Sequence, residues 1–419
     1  MLYLRSALPN AMTFPLALPE GGGNPATRSF IRAHADDDVH ALLLRKSVPP
    51  DVDVRFAVQQ IEGRQKAYEK LPALAANPDF IFPAKLAMEQ CSSESAARYK
   101  ARLFAGRVVA DVTGGLGVDA LYAAGCAASV CYVERSEALC ALARHNFSAL
   151  GVKNVEVHCG DGIGFLQGDL RRFDAVYVDP SRRSSDQSRQ TLLADCEPDA
   201  LLHQDFLLSR AEMLALKASP MLDVAQALRE LRGVCEVHVV AVRNDCKELL
   251  LVCRREAASE PLIRCANILH GHVQQLDFRL SEERAAVARY AEKLRRYLYE
   301  PNVTLLKAGT FKLPCARLGV EKLHPDTHLY TSDSLLPEFP GRTFEVERIF
   351  SPNEPSFKLQ VVGSSANVAV RNFPLTVAEI RQKYRIREGG SAYLFAATLR
   401  GGERRIIKAK KAERKALAL

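Results

Sequence analysis

Four acidic residues in the middle of the chain each follow a run of apolar residues. Asp111 ends the segment RVVAD, Glu134 ends ASVCYVE, Asp161 follows NVEVHCG, and Asp179 ends FDAVYVD. Carboxylates attract cations and accept hydrogen bonds. If the runs are parallel strands, their carboxyl ends lie at the edge of the sheet where α/β proteins bind ligands. We therefore expect these four side chains to lie close together, although Glu134 or Asp161 alone would also fit a helix N-cap.

A glycine-rich segment, TGGLGVDA, follows the first of these runs directly. Gly115, Gly117 and Ala120 match the spacing of the dinucleotide-binding fingerprint, and Glu134 lies 134 − 115 = 19 residues after Gly115. Glycine lets backbone amides approach a ligand closely and adopts positive φ at little cost. A carboxylate at this spacing can accept from ribose hydroxyls, so the segment predicts a nucleotide-containing ligand.

Three features favour an adenosine that carries a cationic amino acid over a nicotinamide dinucleotide. Asp111 stands just before the glycine segment, where it would attract an ammonium group and repel a pyrophosphate. Asp161 can accept from an adenine amino group. The segments VCEVHVVAV and KELLLVCRRE are too close for a crossover helix and predict an antiparallel hairpin at the sheet edge. A nicotinamide dehydrogenase remains the least favoured alternative.

The alternation of strand-like runs with stretches such as SEALCALARHNFSALG is typical of βαβ units and predicts an α/β fold. Helix formers dominate the part before it, and VRFAVQQIEGRQKAYEKL has apolar residues at helical spacing. After residue 256 the pattern changes: ERAAVARYAEKLRRYLYEPN, residues 283–302, predicts an amphipathic helix, and short strands with many turn residues follow.

Composition limits the class of protein. The chain of 419 residues exceeds what one core usually fills, so we expect two or three domains. Hydrophobic residues make up 47% and charged residues 25%, as in an ordinary globular protein. No segment approaches the ~20 apolar residues that cross a bilayer, and we expect a cytoplasmic protein.

Metal binding is not expected. The 11 cysteines have no paired CxxC spacing, which favours free thiols in a reducing compartment. His324 and His328 lack a third partner and are interpreted as turn and packing residues. The formal charge of +8 is unevenly distributed, because the segment 400–415 is rich in Lys and Arg. That segment fits either contact with a polyanion such as RNA or a solvated surface.

At these positions the sequence resembles the class I S-adenosylmethionine-dependent methyltransferases. DVTGGLG corresponds to their first motif, Glu134 to the second, Asp161 to the third and DPSR to the fourth, over residues 106–256. The resemblance implies a Rossmann-like, seven-stranded methyltransferase sheet with an antiparallel terminal hairpin. It also implies S-adenosylmethionine as cofactor. The cofactor-binding residues it implies are Asp111, Thr113, Gly115 and Gly117 for the methionine part, Glu134 for the ribose, and Asp161 with Gly162 for the adenine.

The resemblance places the transfer site at Asp179, Pro180, Ser181 and Arg182. Members that methylate amino groups carry a second proline and an aromatic residue where this chain has Ser181 and Arg182. Some RNA methyltransferases that act on a uracil carbon have Asp-Pro-Pro-Arg there and also need a cysteine nucleophile. The candidate nucleophiles are Cys196 and Cys246, each of which also fits a packed thiol. The acceptor atom therefore stays open.

Three arginines lie beside this motif in the sequence. Arg182, Arg183 and Arg189 could form a cationic rim that binds phosphate through bidentate hydrogen bonds. They could equally form a surface loop closed by ion pairs to Asp186 and Asp195. Both interpretations are kept.

Along most of its length the chain is similar to the bacterial THUMP-like-domain methyltransferases, in segments such as PAKLAMEQCSSESAARYKARLF, KLHPDTHLYTS and RNFPLTVAEIRQKYRIREGG. The resemblance implies a ferredoxin-like and a THUMP-like domain after the methyltransferase domain. The predicted domains are a helical region at 1–104, the methyltransferase domain at 105–256, the ferredoxin-like domain at 257–344 and the THUMP-like domain with its basic tail at 345–419.

The THUMP-like region also bears on the substrate. THUMP domains occur in RNA-modifying enzymes, so the resemblance implies methyl transfer to RNA, either tRNA or rRNA. The basic residues Arg381, Lys383, Arg385 and Arg387 agree with an RNA partner, because phosphate contacts supply much of RNA affinity. The alternative is an RNA-binding or assembly protein that retains the fold and the cofactor pocket without turnover.

Overall fold

The structure is a computed structural model of the chain, and it describes residues 23–45, 47–83, 85–182, 193–256, 260–352 and 354–412. The chain divides into two compact units. The first comprises Met1–Arg183 and Cys196–Ala215, and the second comprises Ser184–Asp195 and Leu216–Leu419. Residues 1–22 of the predicted helical region lie outside the described residues.

The helices of the described residues range from four to 17 residues. None of them combines the length and the apolar character needed to cross a bilayer. In chain order they are α1 (Pro25–Ala33), α2 (Val39–Leu43), α3 (Val54–Lys70), α4 (Pro72–Ala75), α5 (Lys85–Gln90), α6 (Glu94–Ala101), α7 (Val118–Ala124), α8 (Glu137–Ala149), α9 (Gly162–Gly168), α10 (Ala200–Arg210), α11 (Val224–Glu230), α12 (Leu280–Ala285), α13 (Val303–Ala308), α14 (Leu313–Leu318), α15 (Pro355–Val361) and α16 (Val377–Tyr384). Short 3₁₀ helices span Arg102–Phe104, Leu193–Asp195 and Arg400–Gly402.

The described strands form two large sheets and one short pair. In chain order they are β1 (Val108–Asp111), β2 (Ser129–Glu134), β3 (Val155–Cys159), β4 (Phe173–Val178), β5 (Ser181–Arg182), β6 (Cys196–Glu197), β7 (Ala211–Ala218), β8 (Val234–Val242), β9 (Asp245–Arg254), β10 (Leu262–Leu269), β11 (His272–Arg279), β12 (Tyr297–Pro301), β13 (Glu321–Lys322), β14 (Tyr330–Ser332), β15 (Gly341–Phe350), β16 (Asn367–Arg371), β17 (Ala392–Thr398) and β18 (Arg404–Lys411).

The first unit contains the predicted parallel sheet, which confirms the α/β fold class. β1 pairs in parallel with β2 and with β4, and β2 pairs in parallel with β3. Within this unit the strand order is β7-β4-β1-β2-β3. The chain leaves β1 towards β2 on one side, while β4 lies on the other side. The carboxyl end of β1 is therefore a switch point of the kind where α/β sheets bind ligands.

The inner strands β1, β2 and β4 are buried on both faces, which explains why they are apolar runs, whereas the edge strand β3 has no buried residue. In β4, five of the six residues are buried. The helices before β1 contribute a core of their own, in which Phe56 and Ile61 of α3 pack with Val118 of α7 and Leu142 of α8. This confirms the predicted helices over VRFAVQQIEGRQKAYEKL and SEALCALARHNFSALG.

In the second unit, β8 and β9 form the predicted antiparallel hairpin. Two residues join them, Arg243 with φ 53° and Asn244 with φ 65°. Positive φ at both central positions is the signature of a type I′ turn, whose twist matches that of the flanking strands. The Oδ1 atom of Asn244 accepts from the amide of Val303 at 2.9 Å. The side chain of the turn thereby fixes the start of α13.

The large sheet has nine strands where seven were predicted. Within the second unit its order is β11-β10-β8-β9. The additional strands are β10, which pairs in parallel with β8, and β11, which pairs antiparallel with β10. Pairing with β10 satisfies the backbone groups that β8 would otherwise leave open as an edge strand.

The second unit also holds a seven-stranded sheet of order β13-β14-β12-β15-β18-β17-β16. Most of its pairs are antiparallel, and only β16 and β17 run parallel to each other. Phe344, Phe395 and Ile407, all fully buried, form a core on one of its faces. A second core lies around Phe357 of α15 and Tyr384 of α16, and a third lies around Tyr299, Tyr330 and Phe339.

The predicted helix over 283–302 is wrong. The helix α12 ends at Ala285, and Tyr297–Pro301 form β12. In YLYEP the side chains alternate between the two faces of the strand, and four of the five residues are buried. β12 pairs with both β14 and β15, so the sheet supplies hydrogen bonds on both sides. Tertiary pairing thus overrides the helical spacing of the apolar residues.

Candidate functional site

The first unit places the four acidic residues at the ends of their strands, as the sequence predicts. Asp111 is the last residue of β1 and Glu134 the last of β2. Asp161 lies two residues after β3, and Asp179 follows β4 directly. The Asp111 carboxyl is buried, with the residue 2% exposed. The other three have partly or largely exposed side chains, so the edge is open to a ligand.

Hydrogen bonds to β2 hold the glycine-rich loop between β1 and α7. The amide of Gly114 donates to the carbonyl of Val133 at 2.9 Å. The amide of Gly115 donates to the Glu134 carboxylate at 2.8 Å, and the hydroxyl of Tyr132 donates to the carbonyl of Gly115 at 2.6 Å. Three contacts from consecutive residues of β2 thus fix the path of the loop.

Close packing and backbone conformation explain the glycines. A Cβ at Gly114 would lie 2.2 Å from the Tyr132 ring, and one at Gly117 would lie 3.0 Å from Phe147. Gly115 and Gly117 also have φ values of 55° and 82°. Both values are in the left-handed region, which side chains other than glycine rarely adopt. The glycine spacing therefore reflects the shape of the loop itself.

A threonine of the same loop connects the ends of β1 and β4. The Thr113 hydroxyl accepts from the amide of Asp179 at 2.6 Å, and the Thr113 amide donates to the Asp111 carboxylate at 3.1 Å. The amide of Val112 donates to the carbonyl of Tyr177 at 3.1 Å. Thr113 thus positions the backbone of Asp179 relative to Asp111.

The carboxylate of Glu134 bridges two backbone segments. One oxygen accepts from Gly115, and the other accepts from the amide of Ser136 at 2.8 Å. The N-cap of α8 is Ser136, so Glu134 does not have the capping role that was the alternative interpretation. Each carboxylate oxygen has a second lone pair, which leaves Glu134 able to accept from a ligand hydroxyl.

Asp161 does act as a helix N-cap, because it accepts from the amide of Gly164 in α9 at 2.8 Å. Its side chain is 54% exposed and lies 4.0 Å from the guanidinium of Arg135. Arg135 also pairs with Glu197 at 2.7 Å. A Cβ at Gly162 would lie 2.2 Å from the carbonyl of Val112, so only glycine lets α9 begin this close to the end of β1.

The electrostatics of this edge centre on Asp111. Burial above all, together with the charges of Asp119, Asp179 and Glu134, raises the pKa of its carboxyl to about 8, against a hydrogen bond from the Thr113 amide that lowers it. The free protein therefore keeps the proton on Asp111 at neutral pH. An excess of negative charge in a buried position stabilises a cation there.

A buried ion pair, which the sequence analysis missed, lies behind the loop. The Lys100 ammonium is 3.1 Å from the Asp119 carboxylate, and the Lys100 side chain is 1% exposed. The hydroxyls of Ser92 and Tyr177 each donate to Asp119 at 2.9 Å, and Lys100 also donates to Ser92 at 2.7 Å. The four residues come from α6, α7, β4 and the segment before α6, so no local spacing reveals them.

After β4, the DPSR segment continues into a second, short strand. Ser181 and Arg182 form β5, which pairs antiparallel with β6, so that Ser181 lies opposite Glu197 and Arg182 opposite Cys196. Pro180 is partly buried and Ser181 is exposed. Arg183, Asp186 and Arg189 lie outside the described residues, and both interpretations of the arginine loop stay predictions.

The thiols of the two candidate cysteine nucleophiles are both at least partly buried. Cys196 is buried in the first unit. Cys246 belongs to the second unit, and burial raises the pKa of its thiol to about 11. Because the thiolate is the nucleophile, a raised pKa makes Cys246 inert. Both agree with the interpretation as packed thiols.

One group of possible metal ligands occurs within the described ranges. Side-chain atoms of Cys131, Glu156 and His158 lie within 4.8 Å of one another. Arg171 already donates to Glu156 at 2.8 Å and thus brings a positive charge to the same cluster. The sequence prediction that the chain binds no metal stays a prediction.

We expect Lys100→Met to lower the free energy of unfolding by about 3–5 kcal/mol, because it removes the ammonium group from a buried carboxylate. Arg98→Met is the matched control. Arg98 lies on the same helix and pairs with Glu94 at the surface, where it is 60% exposed, so its loss should cost about 0–1 kcal/mol. Thermal and urea unfolding measure both.

The double variant Lys100→Met/Asp119→Asn should regain part of the free energy of unfolding that Lys100→Met loses, since no buried carboxylate then remains without its cation. Equal destabilisation by Lys100→Met and Arg98→Met would show that the buried pair has no special role.

Two family models match the C-terminal part of the chain. A ferredoxin-like domain model matches residues 297–340, and a model described as THUMP domain-like matches residues 341–411. The second match begins where β15 begins, and β15 pairs with β12 of the first match. The domain boundaries predicted from the sequence, 257–344 and 345–419, stay predictions.

Full-length relatives match most of the chain. A crystal structure from Porphyromonas gingivalis W83, assigned as a methyltransferase, is 35% identical, with a TM-score of 0.82, and the match covers 93% of this chain and 98% of that one. An uncharacterized S-adenosylmethionine-dependent methyltransferase of Mycobacterium tuberculosis, present in strains CDC 1551 and H37Rv, is 27% identical over 77% of this chain and 87% of its own length. The chain belongs to the class I S-adenosylmethionine-dependent methyltransferases that carry ferredoxin-like and THUMP-like domains at the C-terminus.

Proposed function

We propose that this methyltransferase transfers a methyl group to RNA, with its cofactor at the carboxyl ends of β1, β2 and β3 and its transfer site at Asp179. The observation that carries the cofactor site is the buried carboxyl of Asp111 beside a glycine-rich loop. Asp119, Asp179 and Glu134 add negative charge around it. A ligand that combines an ammonium group with an adenosine satisfies both properties.

The residues at this edge fit S-adenosylmethionine. Asp111 and the Thr113–Gly117 loop would hold the amino-acid part, because the carboxylate supplies a counter-charge and the glycine at 115 leaves room above the backbone. A Cβ at Gly115 would meet only the carbonyl of Thr113, at 3.8 Å. Glu134 would accept from the ribose hydroxyls, and Asp161 with Gly162 would contact the adenine.

The transfer step needs positioning more than reactive groups. S-adenosylmethionine, when bound, supplies a methyl group on a sulfonium, which is already a good leaving group. The chain has to hold the acceptor in line and remove its proton. Asp179 can accept a hydrogen bond from the acceptor, together with the Pro180 carbonyl. The Thr113 hydroxyl keeps the Asp179 backbone in place.

RNA as substrate is supported by the THUMP domain-like match over 341–411 and by the basic residues of that region. tRNA and rRNA are the expected classes. We also retain the predicted cytoplasmic location, where such RNA is found. The alternative of an RNA-binding protein without turnover predicts RNA binding without methyl incorporation.

Binding of S-adenosylmethionine at pH 7 should release close to one proton. The pKa of Asp111 is about 8 in the free protein, so its carboxyl is protonated at pH 7 and must ionise to pair with the ammonium group. Calorimetric enthalpies in buffers of different ionisation enthalpy measure this release. The affinity should also rise as the pH is raised towards 8.

Asp111→Asn is the control for that measurement, since it cannot ionise. It should bind more weakly and release almost no proton. A binding enthalpy for the wild-type protein that is equal in phosphate and Tris buffers would contradict the assignment of Asp111.

Asp179→Ala should lower methyl incorporation into RNA by about a hundredfold or more, which is the usual contribution of an orienting acid–base group. Its affinity for S-adenosylmethionine should fall far less than its activity, because Asp111, Asp119 and Glu134 keep the other negative charges around the ammonium group. Asp179→Asn keeps an acceptor oxygen and should retain part of the activity. The assay uses tritiated cofactor with RNA from a strain that lacks the gene, and nucleoside mass spectrometry identifies the product. Full activity of Asp179→Ala would exclude Asp179 from the transfer site.

A further inference from the structure

The seven-stranded sheet of the second unit curves strongly enough to bring distant strands together. β12 and β16 are four positions apart in the strand order, which is about 19 Å in a flat sheet. Yet the guanidinium of Arg371, at the end of β16, lies 2.7 Å from the carboxylate of Glu300 on β12. The curvature therefore assembles residues from both parts of the sheet into one cluster.

The centre of this cluster is one buried carboxylate with two arginines. Glu300 accepts from Arg371 through one oxygen and from the Nε atom of Arg342 through the other, at 2.7 Å each. The Glu300 side chain is 3% exposed, whereas Arg342 and Arg371 are 44% and 34% exposed. Glu300 thus orients both guanidinium groups from the protein interior. The two arginines outweigh its single negative charge, so the surface of the cluster is positive.

Two loops adjoin the arginines. The first, residues 324–328, connects β13 to β14, and the second begins with Asn372 directly after β16. Asn372 Nδ2 lies 3.2 Å from His324 Nδ1. The hydroxyl of Thr327 donates to the carbonyl of Thr398, and the hydroxyl of Thr398 donates to the carbonyl of Asn372. The loops are therefore fastened to each other before any ligand binds.

Both loops contain a residue in an uncommon backbone conformation. His328 has φ 26° and Asn372 has φ 50°. Non-glycine residues at positive φ cost energy and persist where the surroundings fix them, often at ligand sites. His328 stacks on Phe311 with 3.8 Å between the ring centroids. This stacking and the hydrogen bonds between the loops supply the constraint.

Two polar atoms of the cluster lack a hydrogen-bond partner within the part of the chain that the structure describes. They are the Nε atom of Arg371 and the Nδ1 atom of His328, and both are buried. The other two nitrogens of Arg371 are used, by Glu300 and by the carbonyl of Val370. Buried polar groups in native proteins are paired, so these two atoms indicate a partner from outside the chain.

We propose that this cluster, formed by His324, His328, Arg342, Arg371 and Asn372, binds one phosphate group of the RNA substrate. The inference rests on the proposed RNA methylation and names where the second unit contacts the RNA. A guanidinium offers a planar pair of donors that matches phosphate oxygens. The Asn372 amide and the histidine rings add further polar contacts.

The charges around the cluster agree with an anion. Burial and the nearby charges of Lys322 and Arg371 lower the pKa of His328 to about 4, so the ring is neutral at pH 7. The carboxylate of Asp326 is on the same loop, but it is 76% exposed and water screens its charge. Glu300 is fully engaged by the two arginines.

The test compares Arg371→Met with the wild-type protein in binding to labelled bulk tRNA by fluorescence anisotropy, at several salt concentrations. We expect about tenfold weaker binding, the usual loss of one charge-assisted contact. The slope of log K against log salt should fall by about 0.7–0.9, as for one phosphate contact. Arg371→Lys keeps the positive charge but loses the paired donors of the guanidinium. Its affinity for tRNA should lie between those of the wild-type protein and Arg371→Met.

Arg296→Met is the matched control. Arg296 pairs with Glu345, and Glu345 points to the face of β15 opposite to Arg342 because the two are three residues apart on the strand. Its loss should change neither the affinity nor the slope. Unchanged circular dichroism spectra and melting temperatures in all variants show that the second unit keeps its fold. Removal of the 5′ phosphate from the tRNA distinguishes a terminal phosphate from a backbone phosphate.

The outcomes separate this inference from the proposed function. Wild-type affinity and slope for Arg371→Met, or no binding of tRNA by the wild-type protein, would overturn the phosphate site. If Arg371→Met binds tRNA more weakly, as expected, but the wild-type protein incorporates no methyl group into any RNA, the proposed methylation is overturned. The phosphate site then remains supported.

Discussion

The crowding of negative charge around the buried Asp111 carboxyl is the constraint on which the first unit depends. Burial and three neighbouring carboxylates raise its pKa to about 8. Relative to an ordinary aspartate this is a cost of about 6 kcal/mol for the ionised form. Because the folded pKa is raised, the folded state binds the proton more strongly than the unfolded chain, and stability falls as the pH rises from about 4 to 8. A cationic ligand offsets this cost.

The contacts around Asp111 reduce the free-energy cost of ionising its carboxyl but do not remove it. Lys100 neutralises Asp119, which is the largest charge contribution to the pKa of Asp111. Thr113 donates its amide to Asp111 and accepts from Asp179. Hydrogen bonds from β2 fix the glycine loop, so the acids do not depend on the ligand for their positions. The unit is therefore preorganised for a cation, and binding does not have to order the loop.

The second unit shows the opposite arrangement of charge. One buried carboxylate, Glu300, orients two arginines whose guanidinium groups reach the surface. In the first unit the buried acid, Asp111, has no full counter-charge. In the second unit the buried acid, Glu300, is paired with two arginines, so positive charge is in excess there. The two arrangements suit ligands of opposite charge, an adenosine that carries a cationic amino acid and a phosphate. This difference agrees with the assignment of cofactor and RNA to separate parts of the chain.

Sequence patterns predicted what is local or periodic. The strands that precede Asp111, Glu134 and Asp179 are apolar runs, and the Arg243–Asn244 turn lies between two strands close in sequence. Long-range features were missed for physical reasons. The pairing of β12 depends on β14 and β15, so the helical spacing of 283–302 misled the prediction. The Lys100–Asp119 and Glu300–Arg371 pairs join residues 19 and 71 positions apart, and no spacing rule connects them.

The most direct measurement of the central claim is a crystal structure of the wild-type protein with S-adenosylhomocysteine. The account predicts the amino group of the ligand beside Asp111, its ribose at Glu134 and its adenine near Asp161, with the sulfur facing Asp179. Ligand bound elsewhere, or with its amino group away from Asp111, would contradict it.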